Sequence, residues 1–88
     1  MSALLSPRMT PDLYLHTVAA QNALRRAVST LTDERIAIEL VWVDTFLAFL
    51  DAPLGSDEWR RLNTRLDELD AEVAAKERAI LHAKEQLR

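Results

Sequence analysis

The residues of this 88-residue chain with any capacity for chemistry are few and scattered. His82 and Glu85 stand three apart, which on a helix puts both on one face, as in carboxylate-bundle metal sites. Their order is the reverse of Glu-x-x-His, they have no companions, and His16 is far away in sequence. Glu39 falls within an apolar run, where a carboxylate needs a cation; Arg35 one turn back, or Arg25 or Arg26, can supply it. Asp33, Asp44 and Asp51 recur on one side of the same segment and read as a solvated acidic face or a dock for a basic partner. Arg60, Arg61, Asn63, Thr64 and Arg65 follow a turn, loosely like a helix-turn-helix reader, but Asp57 and Glu58 ahead of them repel phosphate. Trp42, Phe49 and Trp59 suit either an aromatic ligand pocket or the anchoring of a core or interface.

What the chain lacks narrows the field further. With no Cys there is neither a disulfide framework nor a thiolate zinc site, and a single Gly excludes a glycine-rich phosphate loop. No Ser or Thr has an evident His base beside it. The expectation is a protein that is not an enzyme and takes neither metal nor cofactor. A net charge of −3 gives no overall footprint for nucleic acid or an anionic membrane. The charge is uneven, at +2 over residues 1 to 32, −4 over residues 33 to 55 and near balance thereafter.

The elements that position these residues are helices, because 49% of the chain is apolar, only 6% is aromatic, and Gly and Pro are scarce. Residues 1 to 9 contain Pro7 and no periodicity and read as a mobile leader. Their short apolar run falls well below a signal-peptide core, so the expected location is cytoplasmic. Thr10, Pro11 and Asp12 form a helix start: an N-cap, a proline at the first helical position and an acid in the first turn. The first helix carries a narrow stripe of Leu13, Ala20, Leu24, Ala27, Val28 and Leu31. Residues 29 to 33 then gather four poor helix formers, Ser29, Thr30, Thr32 and Asp33, of which Thr32 or Asp33 could cap a new helix, and a break is expected there. The rival is one continuous helix over residues 11 to 51, since neither Gly nor Pro enforces a stop.

From residue 36 to residue 50, 12 of 15 positions are apolar. Ile36, Leu40, Val43, Phe46, Leu47 and Leu50 make one stripe, and Ile38, Trp42 and Phe49 a second beside it. A helix apolar on two sides is buried by more than one neighbour. The run is too short and too acidic to span a membrane. After the Ala52-Pro53-Leu54-Gly55 breaker, Ser56 opens a last helix whose Trp59, Leu62, Leu66, Leu69, Val73, Lys76, Ile80, Ala83 and Leu87 alternate spacings of three and four as an a/d seam. Lys76, at a core position, is expected to snorkel or to pair with Glu72.

The expected fold is therefore all-α: a single domain over residues 10 to 88, with helices at about 11 to 31, 33 to 51 and 57 to 88. It is either a three-helix bundle or a long helical hairpin, dimerising in both cases. A last helix of about 48 Å overshoots neighbours of about 30 Å, which points to a partner surface on Lys76, Ile80, Leu81, Ala83 and Leu87. Trp42 and Phe49 add a second such surface. The function expected from these surfaces is a non-enzymatic helical protein-protein interaction module: an adaptor, an assembly or secretion chaperone, or a sequestering regulator. Its partner is itself, as a homodimer, or another helical protein. The alternative is a dimeric nucleic-acid-binding regulator using Arg60, Arg61 and Arg65.

Overall fold

The computed structural model describes residues 11 to 87, with side chains from residue 16 onward; the leader expected over residues 1 to 9 and the Thr10 cap lie outside the described residues. Two helices account for nearly all of the described chain: α1 over Pro11–Asp51 and α2 over Asp57–Glu85. The fold is all-helical and takes the hairpin form, with two helices in place of the three-helix arrangement. The break expected at residues 29 to 33 is absent. Thr32 there donates its hydroxyl to the Val28 carbonyl at 2.7 Å, so its polar group is satisfied one turn back inside the helix and has no need to cap a new one. Thr45 does the same toward Val41 at 2.8 Å.

The hairpin turn is built by residue type. Gly55 sits at φ +77°, in the left-handed region that L side chains rarely adopt, and the Ser56 amide closes the turn onto the Pro53 carbonyl at 3.0 Å. Ser56 then caps α2 by accepting from the Trp59 amide at 3.1 Å, and Asp57 and Glu58 place acids in the first turn, where the helix dipole favours them. Nothing lies within 4 Å of where a Cβ at Gly55 would stand. Gly55→Ala is therefore expected to destabilise through backbone strain alone, by about 1 kcal/mol, lowering the melting temperature by roughly 4–8 °C. Thermal unfolding followed by circular dichroism measures it; an unchanged melting point would mean that the turn relaxes to a conformation any residue can take.

Three contacts fix an antiparallel register. Phe49 meets Trp59 at 5.2 Å between ring centroids, Lys76 donates to Glu34 at 2.9 Å, and the Gln21 amide reaches the Gln86 carbonyl at 3.2 Å. This register sets Leu69 level with residues 38 to 42 of α1, and Ile80 and Ala83 level with residues 24 to 31. The half-buried face of α1 runs Leu24, Val28, Leu31, Arg35, Ile38, Trp42, Thr45 and Phe49, alternating spacings of four and three. It meets the α2 seam, of which Leu66, Leu69, Ile80 and Ala83 are buried. Lys76 pairs with Glu34 across the helices rather than with Glu72, which bonds Arg65 instead.

The length argument reverses. α1, with 41 residues, is about 61 Å long and α2, with 29, about 43 Å, so α1 is the helix that overshoots. Beyond the Gln21–Gln86 contact its residues 16 to 20 are all exposed. The molecule is a rod of 74 × 17 × 12 Å, with a radius of gyration of 21.6 Å against about 12 Å for a globule of this length. No helix among the described residues is long and apolar enough to cross a membrane.

Candidate interaction surface

The geometry separates the two apolar stripes of α1 and gives them different fates. Ile38, Trp42 and Phe49 turn toward α2, joined by Phe46. Trp42 and Phe46 stack with centroids 5.0 Å apart, Phe46 and Phe49 stand 6.3 Å apart, and the row ends on Trp59. Such pairs add roughly 0.5–1.5 kcal/mol each beyond their area, so the row closes the turn end of the hairpin. The Trp42 Nε1 proton is buried here without an acceptor among the described residues. Arg35 lies on the same packed face, and its Nε comes within 3.3 Å of Glu39 Oε1, an ion pair without good hydrogen-bond alignment. Glu39 is thus half exposed and paired along its own helix.

The other stripe is uncovered. Ile36, Leu40, Val43, Leu47 and Leu50 are 45%, 63%, 48%, 55% and 60% exposed, and their spacing of four, three, four and three is that of a helix-packing seam. At 3.6 residues per turn this stripe lies about 150° around α1 from the face that meets α2. Leu54, in the turn beyond the end of α1, is 87% exposed. Scattered exposed leucines need no explanation, but a continuous ladder of this length marks an interaction site. Full burial of each such side chain contributes about 1.5–3 kcal/mol, so five half-exposed ones leave about 4–8 kcal/mol of hydrophobic stabilisation unrealised in the isolated hairpin.

Acids border the stripe. On the helical wheel Asp33, Asp44 and Asp51 line one edge, all exposed, and Glu39 lies on the other. Upstream, the same side of α1 carries Val18, Asn22, Arg25, Arg26 and Ser29, so the apolar ladder begins only at Ile36. Arg25 donates to Asn22 at 3.1 Å.

The other residues singled out from the sequence fall as follows. Of Trp42, Phe49, Lys76, Ile80, Leu81, Ala83 and Leu87, only Leu81 is exposed, at 59%. Ile80 and Ala83 are buried against α1, Trp42 and Phe49 are stacked inside the hairpin, and Lys76 and Leu87 are half-buried. The overhang that singled out the C-terminal residues does not exist, because α1 is long enough to accompany α2 to its end. His82 shares a hydrogen bond with Gln86 at 2.9 Å, and no three His, Asp or Glu among the described residues gather as metal ligands. In the arginine cluster, Arg60 pairs with Asp57 at 3.3 Å and Arg65 with Glu68 and Glu72 at 3.3 and 3.2 Å, so acids on the same helix offset much of its charge.

The uncovered stripe was in view in the sequence, but its facing was not: its residues form there one of two stripes, with nothing to say which of them meets the rest of the chain. Compared with known protein families, curated proteins and solved structures, the chain matches none, and its function is read from this surface.

Proposed function

We propose that the chain is a non-enzymatic helical interaction module that docks a partner helix along the outer stripe of α1. The observation that carries this reading is the uncovered 36-to-50 ladder, a second helix-packing seam on a helix that already has one filled. A hairpin supplies one neighbour for two apolar faces, and a further helix makes the missing layer of a bundle. The apolar α2 seam and the row of aromatics hold the hairpin, with the Lys76–Glu34 and Gln21–Gln86 contacts fixing its register; the outer stripe is turned away from α2.

A photo-crosslinking residue placed at Leu47 tests this in the cells that express the protein, with the same residue at Arg61, on the polar outer side of α2, as the control. The expected result is a discrete adduct from position 47 and none from position 61. Adding Leu40→Asp should abolish the adduct while leaving the helical content of the purified hairpin unchanged and its stability within about 0.5 kcal/mol of wild type, since Leu40 touches solvent on that face. Absence of an adduct at 47, or adducts of equal yield at both positions, removes the reading.

A further inference from the structure

The border of the stripe says what kind of helix fits it. Three acids, Asp33, Asp44 and Asp51, stand along one edge and Glu39 along the other, and residues 33 to 55 carry a net −4. The bases within that span reduce to Arg35, which lies on the packed face and is paired with Glu39. A second copy of the chain meets this border badly in either direction. Antiparallel pairing about Val43 brings Asp44 beside its own mate, and parallel pairing sets Glu39 across from Asp44 of the other chain. Like charges flanking a seam oppose association, and opposite charges select partner and orientation.

Resting on the docking function proposed above, we propose that the occupant is a single amphipathic helix of a different protein, whose apolar stripe is flanked by Lys or Arg. Its contact length is set by the ladder: about 21 Å from Ile36 to Leu50, or four turns. The acidic border stops where Arg25 and Arg26 begin on the same side of α1, so a longer partner helix carries acids over that end. The side chains meeting the stripe are large and aliphatic, because the stripe itself offers no polar group to a partner's core positions.

The test uses two synthetic 21-residue helical peptides with identical leucine seams, one flanked by Lys and the other by Glu. Binding to the full chain is read by fluorescence anisotropy at about 50 and 500 mM salt. A second protein, Asp33→Lys, Asp44→Lys and Asp51→Lys together, reverses one border; none of the three aspartates holds the hairpin, and Lys at Asp51 suits the C-terminal dipole of α1. The expected result is that the wild-type chain binds the Lys-flanked peptide about tenfold or more tightly than the Glu-flanked one, as three exposed charge pairs allow. The preference should invert in the triple variant and shrink at high salt. Equal affinities for both peptides, lost with Leu40→Asp, overturn the charge inference and leave the docking reading standing. No binding of either peptide, with no adduct at Leu47, overturns both. A wild-type dimer in light scattering that Leu47→Asp dissociates makes a second copy the occupant and overturns the proposal.

Discussion

Leu69→Ala is expected to cost the hairpin about 3 kcal/mol, in the middle of the 2–5 kcal/mol range for truncating a buried leucine. Leu69 is the most deeply buried side chain among the described residues, at 1% exposure, and stands level with residues 38 to 42, where α1 presents Ile38 and Trp42. With only Leu66, Leu69, Ile80 and Ala83 buried among the described residues, there is little second layer to collapse into the cavity, and removing one member leaves the two helices held mainly by their ends. A chain of this size holds about 4–13 kcal/mol in total, so the loss is a large share of it. The same truncation at Leu81, 59% exposed one position past the seam, should cost less than about 0.5 kcal/mol. Urea titrations followed by helical circular dichroism read both; equal midpoint shifts for the two variants would show that the α2 seam does not face α1.

The contrast between Leu69 and Leu81 was legible in the sequence, because an unbroken run of three- and four-residue steps from Trp59 to Leu87 leaves no other phase for α2. The facing of α1 was not. If the chain breaks at residues 29 to 33, its halves have independent phases, and the fuller stripe of Ile36, Leu40, Val43, Leu47 and Leu50 is the natural choice of core. In a continuous helix the phases are locked. Leu24, Val28 and Leu31 then run on into Ile38, Trp42 and Phe49, whereas the Ile36 stripe continues backward into Ser29, Arg26 and Asn22. The seam that serves the whole length of α2 faces inward, and the shorter, richer one is left outside. The expectation of a partner surface on Ile80 and Ala83 follows from the same step, since a short first helix leaves them uncovered, whereas the 41-residue α1 reaches and buries them.

This arrangement bears on function through the separation of tasks. Residues that keep the hairpin closed lie on one side of α1, and the proposed docking ladder lies on the other, so the ladder is free to vary without unfolding the protein. The acids bordering the ladder are exposed and unengaged with α2, whereas Glu34, the one acid among the described residues that pairs across the helices, holds Lys76. An exposed pair of this kind contributes at most about 1 kcal/mol, which makes the apolar seam, not the ion pairs, the source of the fold.

Continuity of α1 is thus the feature on which both the fold and the surface depend, and Thr30→Pro is the substitution that strikes it. Proline at this position removes the amide bonded to the Arg26 carbonyl, and its ring crowds that carbonyl, at a cost of about 3 kcal/mol or more in a helix interior. The cost falls where α2 still accompanies α1, since Ile80 and Ala83 stand level with residues 24 to 31; a kink there should also strip them of cover. Amide exchange is expected to show lost protection over residues 16 to 28 and 76 to 85, with residues 36 to 72 retained. Ser29→Ala, one residue away and exposed, should move the other way and stabilise by about 0.5 kcal/mol, because a continuous helix rewards the better helix former. In a chain that breaks at residues 29 to 33, Thr30 would stand in the last turn of a short first helix and proline would cost much less, so the size of the Thr30→Pro shift decides between the arrangements. The ladder from Ile36 to Leu50 and the turn at Gly55 lie outside the damaged segment. Thr30→Pro should therefore still bind the Lys-flanked peptide, separating the half of the rod that docks from the half that only lengthens it.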